Sequence, residues 1–426
     1  MKKVNLQNLA WKSFMKKIVM SYFTRIYLIK AFLIALCLSA FIYFAYANLT
    51  IPMMNSLLAG IGFYLLLGEN RIVYFWSGFF IGILWFYWIS FSFVYYDLAF
   101  LIPVIILSVA SAYAFLFWLI ARISARPLVQ SVLLVATIFI APFEFNWFKL
   151  DLLFLDSYMK PTWWALGLFL LALSLLKMPS KILKIVAIVP LLASLNYHPK
   201  SLHVTIPPLK VSLPTTHVPQ SQRWDRAYQE AALDENFRLI EAAIQNGDDL
   251  IVLPESAFPM YLNRALPVIE KLKSYSQKIA VVAGALTYEE NVGYYNSSYF
   301  FADGKMQIAH KIILVPFGEE VPLPEWIVKI VNRLFFDGAQ DYQKAKTPQD
   351  FVIQGIPFRN AICFEASRDE LFEGNPRYMI AISNNAWFEP SIEQTLQHLL
   401  LRYYATRYQT VIYHAANGGI SGMILP

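Results

Sequence analysis

AICFEASRDE, residues 361–370, begins as an apolar run and turns, at its lone cysteine, into a string of charges. An apolar run bounded in this way reads as the end of a buried strand, which puts Cys363 at the strand's edge beside the carboxylate of Glu365. The neighbouring stretches extend the pattern. C-terminal to it come a helix from about residue 366, a strand in YMIAISN (378–384), a long helix at 391–408, and strands in TVIYHAA and ISGMIL. On the N-terminal side, SSYFFADGKMQIAHK (297–311) reads as a hairpin turning at Asp303 and Gly304. KIAVVAGAL (278–286) and DLIVL (249–253) read as strands, and HVTIPPLKVSL (203–213) as a strand pair or one long strand. Between them a helix is expected near 262–275. Another is expected in DRAYQEAALDENFRLIEAAIQNG, where Leu233, Phe237, Ile240 and Ile244 share one face before a stop at Gly247. Strands alternating with helices, without a repeat period, give an α/β sandwich whose sheets are covered by helices.

That pattern begins only after Pro199. Of the 426 residues 57% are hydrophobic and 15% charged, against about 45–50% and about 25% in an average globular chain, and the excess lies in the first part. Residues 1–198 are expected to form a multi-pass membrane domain and 199–426 a catalytic domain. A membrane-spanning helix needs about 20 apolar residues. Seven stretches approach this: 29–48, 51–68, 73–95, 98–121, 128–143, 162–176 and 182–196. FEFNWFKLDLLFLDSYMK, between the fifth and sixth, reads as an interfacial or re-entrant loop. Lysine and arginine favour the cytoplasmic side of short loops. They gather at the N-terminus (Lys2, Lys3, Lys12, Lys16, Lys17) and in alternate turns (Arg71; Arg122 and Arg126; Lys177, Lys181 and Lys184). Seven spans starting inside end outside, so residues after 199 are expected on the extracytoplasmic side. The net charge of +6 is then a topology signal, not a nucleic-acid footprint. Ala45-Tyr46-Ala47 has the small-residue spacing of a signal-peptide cleavage site, but the apolar run before it is of full membrane length and its retention is expected.

Chemistry is expected at the strand ends, where Glu255 (VLPESAFP), Lys311 (AHKIILVPFGEEVPLP) and Cys363 fall. Taken singly, these are ordinary: a solvated acid, a surface lysine, a packed thiol. Together they supply what acyl transfer to a thiol requires, namely a base to take the proton, a cation to steady the thiolate and the developing oxyanion, and a nucleophile. No histidine lies in a nucleophile signature, and GGISG does not match a serine elbow. The only other cysteine, Cys37, falls in an expected span. An unpaired extracytoplasmic thiol is more readily explained as a nucleophile than as half of a disulfide.

Glu255, Lys311 and Cys363, in this order and at strand ends, resemble the Glu-Lys-Cys triad of the nitrilase or carbon-nitrogen hydrolase superfamily. The membrane part narrows the resemblance to the apolipoprotein N-acyltransferases. It is carried by HVPQSQRWD (217–225), PESAFP (254–259), YYNSS (294–298), HKIILVPFGEEVP (310–322), CFEAS (363–367) and SNNAWF (383–388), with WFYWISFS (85–92) and PFEFNWF (142–148) in the membrane part. CFEAS departs from the family in having Phe364 where tyrosine is common, and family members usually continue into one more membrane helix, whereas this sequence stops at Pro426. The resemblance implies an αββα sandwich and a ping-pong acyltransferase of the bacterial inner membrane, with its catalytic domain on the periplasmic side. The donor would be a phospholipid such as phosphatidylethanolamine, and the acceptor the α-amine of a diacylglyceryl-cysteine on an apolipoprotein. Neither cofactor nor metal is implied. Glu255 would be the base, Lys311 the oxyanion donor, and Glu319 an acid that orients Lys311 or closes the site. Phe364 and Glu365 would shape the acyl pocket. Trp224 would serve as lid, substrate contact or packing, and Asn296 as substrate contact or packing.

Two other readings use the same residues differently. A membrane-anchored amidase would direct the triad at a small amide in water. A non-catalytic transporter or scaffold fits less well, because the spans carry almost no ionisable residues in their middles. In PLPEWIVKIVNRLFF (322–336), Trp326, Ile327, Ile330, Val331 and Leu334 fall on one helical side and Lys329 and Arg333 on the other. This spacing fits an amphipathic arm lying in the membrane interface beside the active site, with Trp326 as a lipid-substrate contact, or an ordinary core helix.

Overall fold

The computed structural model describes residues 22–197, 204–222, 226–316, 318–320 and 342–426. The chain divides into two units. The first holds residues up to Ser90 with Ile102–Phe139 and Lys149–Tyr197; the second holds Phe91–Leu101, Ile140–Phe148 and His198–Pro426.

In the first unit every expected span is helical. Arg25–Tyr46, Arg71–Tyr96 and Ala99–Ile123 are long and apolar enough to cross a membrane, and Pro52–Leu66, Pro127–Phe139 and Trp163–Leu176 are shorter apolar helices. The last expected span is broken into Lys181–Val186 and Ile188–Ser194. Pro190 explains the break, since its ring displaces the carbonyl four residues back, at Val186, and it offers no N–H. The helix from Arg71 is α-helical only to Phe86 and continues as a 3₁₀ turn, Tyr87–Tyr96. Small residues let helices approach: a Cβ on Gly78 would stand 2.4 Å from the backbone oxygen of Tyr113, as close packing without a hydrophobic driving force requires. Outward-facing Leu33, Leu107, Phe115, Val132 and Val189 are exposed, which suits an apolar solvent and not water.

The second unit is a two-sheet sandwich. One sheet runs in the order β1 (Val211–Ser212), β2 (Leu250–Val252), β4 (Ala280–Glu289), β5 (Gly293–Ala302), β6 (Lys305–His310), with β3 (Phe258–Tyr261) also paired to β4. The other runs β11 (Gly422–Ile424), β10 (Val411–Asn417), β9 (Tyr378–Asn384), β8 (Ile356–Ile362), β7 (Asp350–Ile353). Strands β1, β2 and β4 are parallel, as are β8, β9 and β10, while hairpins β5–β6 and β7–β8 are antiparallel. Side chains alternate across each strand. Val282 and Phe300 face Phe358, Ile380 and Tyr413 in the core between the sheets, whereas Val281, Ala283, Tyr299 and Phe301 pack on Phe237, Ile240, Ile269 and Leu272 of helices Arg226–Gln245 and Leu266–Tyr275. The helix Glu393–Tyr408 buries Leu396, Leu400, Tyr403 and Tyr404. The fold is the expected nitrilase-like αββα sandwich.

Three local expectations change. The helix from about 366 is replaced by two 3₁₀ turns, Cys363–Ser367 and Asp369–Phe372, because the Glu365 side chain binds back to the Ile362 N–H. In the described part of HVTIPPLKVSL only Val211 and Ser212 pair, since Pro207 and Pro208 lack the N–H a strand ladder needs. Strands β3 and β7 were not foreseen. The stretch 322–336 lies outside the described residues.

Candidate active site

Three loops bring the chemistry together, each leaving the end of a strand. β8 ends at Ile362, and Cys363 follows with φ +56°, a left-handed conformation that turns the chain sharply and is costly for a residue with a Cβ. Lys311 follows the last residue of β6, and Glu255 sits three residues past β2. Gly284 on β4 makes room for the Glu255 turn: a Cβ there would lie 2.6 Å from both Glu255 Cα and Ser256 N.

Carboxylates organise the buried lysine. Lys311 is fully buried and its Nζ lies 2.6 Å from Glu319 Oε2, the oxygen that also accepts the Val315 N–H at 2.8 Å. Burial works against the ammonium, but Glu319, Glu255, the Cys363 sulfur and Glu365 together outweigh it and hold the lysine pKa above its usual value. Asn296 on β5 separates the two acids. Its side-chain amide donates to Glu255 Oε1 at 2.7 Å and to Glu319 Oε1 at 2.8 Å, and its backbone carbonyl accepts the Lys311 backbone N–H at 2.9 Å. Its side chain thus serves the carboxylate pair.

Glu365 staples the Lys311 loop to the Cys363 loop. Its Oε2 accepts the N–H groups of Ile312 and Ile313 at 2.9 and 3.1 Å, and its Oε1 that of Ile362 at 2.8 Å. Burial raises its pKa to about 7, against the pull of Lys311 and the three N–H donors. The neighbouring Phe364 is buried, stacked on Phe145 at 6.0 Å and tilted against Trp147. Trp147 Nε1 donates to Ser367 Oγ at 2.8 Å and Asn146 to the Ser367 carbonyl at 2.9 Å. Segment 142–148, read from sequence with the membrane part, therefore buttresses the nucleophile loop. Tyr95 and Tyr96 likewise pack on Trp387, and the Tyr95 hydroxyl donates to the Ala386 carbonyl.

The thiol itself is half-buried. Burial first, then Glu255, Glu393 and Glu319, raise its pKa well above normal, while Lys311 alone among the principal influences lowers it. These influences favour the neutral thiol over the thiolate in the resting protein.

Comparison with known proteins matches both parts of the chain to described families. The apolipoprotein N-acyltransferase integral membrane domain matches residues 25–197 and the carbon-nitrogen hydrolase family matches 218–423. An apolipoprotein N-acyltransferase of Wolinella succinogenes is 44% identical over 92% of this chain and 94% of its own. Those of Helicobacter pylori and Campylobacter jejuni are 36% and 32% identical, over 88% and 100% of this chain and 88% and 95% of theirs. The chain belongs to the apolipoprotein N-acyltransferase family. It is an acyltransferase with an integral membrane domain joined to a carbon-nitrogen hydrolase domain.

Of the residues singled out from sequence in this family member, Glu255, Lys311, Cys363, Glu319, Glu365 and Asn296 share one network, and Phe364 forms its aromatic flank. Trp224 and Trp326 lie outside the described residues. Sequence reasoning did not assign a role to Asn385, Glu393 or Gln397, which are linked to one another and, through Gln397, to the thiol. Asn385 was quoted only within SNNAWF, and the signal for the other two was a pair of polar residues four apart on the largely apolar buried face of the helix from Glu393.

Proposed function

We propose that the protein moves a fatty acyl chain from a phospholipid, phosphatidylethanolamine in the first instance, to the α-amine of the diacylglyceryl-cysteine of an apolipoprotein. The observation that carries the reading is the buried Lys311 ammonium, paired with Glu319 and electrostatically coupled to Glu255 and Cys363, within a chain whose other domain is membrane-integral. Residues 1–198 form the membrane domain and 199–426 the catalytic domain, with segments 91–101 and 140–148 packed as part of the latter unit.

Glu255 takes the Cys363 proton as the sulfur attacks the ester carbon. Lys311 Nζ, which beyond its Glu319 contact has no hydrogen-bond acceptor among the described residues, donates to the oxyanion together with a backbone N–H near Phe364. The C–O bond breaks, and the lysophospholipid leaves with the proton held by Glu255. The acceptor amine then attacks the thioester, passes a proton to Glu255, and the C–S bond breaks to restore the thiol. Glu319 holds Lys311 in place through both half-reactions. Asn296 bridges the two carboxylates. The protein resides in the inner membrane, with its catalytic domain on the periplasmic side.

The test uses purified protein in detergent, phosphatidylethanolamine and a synthetic diacylated lipopeptide with a free α-amine. The peptide is expected to gain the mass of one acyl chain, only when phospholipid is present. Amide hydrolysis in water without phospholipid, with no gain of peptide mass, would transfer the assignment to an amidase.

A further inference from the structure

Beside Cys363 lies a second polar cluster, Gln397, Asn385 and Glu393, that the mechanism above does not use. Gln397 Nε2 stands 3.7 Å from Cys363 Sγ with its N–H directed at the sulfur. Its other end is fixed: Gln397 Oε1 accepts from Asn385 Nδ2 at 2.9 Å, and Asn385 Nδ2 gives its second hydrogen to Glu393 Oε2 at 2.8 Å. Gln397, Asn385 and Glu393 are 1%, 2% and 2% exposed, so water does not supply alternative partners.

The donor and acceptor inventory allows one orientation. Asn385 presents its NH₂ to the cluster, where the facing Glu393 oxygen accepts it. A Gln397 side chain turned the other way would then set its own NH₂ against that of Asn385 and its oxygen against the sulfur. The acid therefore sets the Asn385 amide, the Asn385 amide sets the Gln397 amide, and the Gln397 amide points a donor at the nucleophile. Local structure supports the arrangement. Glu393 and Gln397 are four residues apart on one face of their helix, and Glu393 is its first residue, where the helix dipole favours an acid.

We propose that Gln397 is a catalytic residue that stabilises the Cys363 thiolate, and that Asn385 and Glu393 are positioning residues that hold it in its donor orientation. The inference rests on Cys363 being the nucleophile. Negative charge appears on this sulfur twice, on attack at the donor ester and again when the thioester carbon releases it to the acceptor amine. A fixed donor lowers both barriers and costs no reorganisation when the charge forms. The titratable groups acting on the thiol are Glu255, Lys311, Glu393 and Glu319, so in this environment Gln397 is an uncharged counterweight to three acids.

The experiment measures alkylation of Cys363 by iodoacetamide against pH in a Cys37→Ala background, where it is the sole thiol. The thiolate sulfur displaces iodide, so the rate reports its ionisation without requiring acyl transfer. Gln397→Leu is expected to raise the pH midpoint by about one unit and to slow both half-reactions roughly tenfold, at the lower end of a hydrogen bond to a charged group. Glu393→Gln keeps an acceptor for Asn385 but removes an acid that is ionised in the alkaline range where the raised thiol titrates, so its midpoint is expected to fall. Opposite shifts separate this role from simple damage, which would move both variants alike. An unchanged midpoint in folded Gln397→Leu overturns the proposal. Should that variant not fold, Gln397→Met takes its place with the same expectation, and failure of both to fold assigns Gln397 to structure and also overturns it. Opposite midpoint shifts in a protein that does not acylate the lipopeptide would leave the thiol donor standing and remove the proposed substrates.

Discussion

Glu365 illustrates how far one buried side chain can reach. Each of its oxygens accepts backbone N–H groups, from the nucleophile loop on one side and the lysine loop on the other. In Glu365→Gln one oxygen becomes an NH₂ facing a backbone donor, and each buried donor left unpaired costs about 1–3 kcal/mol. We expect a lower melting midpoint in detergent together with loss of lipopeptide acylation. Wild-type values for both would show that the staple is dispensable. Glu393 leads to a prediction in pH. Burial, opposed by the Asn385 hydrogen bond and reinforced by Glu255 and Glu389, raises its pKa from 4.5 to about 8. The folded form therefore holds a proton that the unfolded chain releases. The stability this contributes is complete below the unfolded value and is lost as pH rises through the folded one. Glu365, raised to about 7, acts in the same sense. The melting midpoint of Glu393→Gln is accordingly expected to fall less than that of wild type between about pH 5 and pH 8. Parallel curves for the two proteins would contradict the buried, proton-holding acid.

Among the secondary elements, the strand ends decide the site, and they are also what the sequence disclosed. Glu255, Lys311 and Cys363 were legible because each follows an apolar β run whose length and alternation are local properties. Asn296, Glu319 and Glu365 stood out through the family resemblance, but which groups they bind was not legible, nor was Gln397, because β5 and the helix from Glu393 meet the strand ends only through tertiary contact: Asn296 is 41 residues from Glu255, and Gln397 is 34 from Cys363. The segment after Cys363 has a helix-favouring composition, and sequence could not anticipate that Glu365 would bind its own strand end. Segment 142–148 shows the same limit: its aromatic residues read as interfacial, and only tertiary structure shows that Phe145 and Trp147 pack on Phe364. Strand β4 provides a test of how closely these elements must fit. In Gly284→Ala the new Cβ meets the Glu255 backbone, and a shift of about 1 Å in a catalytic group can cost roughly 10²-fold in rate. We expect thioester formation to fall by about that factor while the protein stays folded by size-exclusion chromatography. Wild-type rates would mean that the Glu255 turn has slack the geometry does not indicate.

For the whole molecule the central question is how a membrane-integral part and a thiol enzyme combine. The lysine and arginine alternation argues that residues after 199 are extracytoplasmic. A reporter that is active only in the cytoplasm, fused after Ser201, is expected to be silent; strong activity there would reverse the topology and remove the proposed acceptor. The account as a whole depends on Cys363 holding an acyl group while the site waits for an amine. Intact-protein mass spectrometry after incubation with phospholipid alone tests this most directly. The account predicts one acyl mass per chain, released by neutral hydroxylamine, discharged by a diacylated lipopeptide with a free α-amine, and absent in Cys363→Ala. Lys311→Ala should form the adduct about 10²–10³-fold more slowly, the usual cost of losing an oxyanion donor. Lipopeptide acylation undiminished in Cys363→Ala would contradict the account.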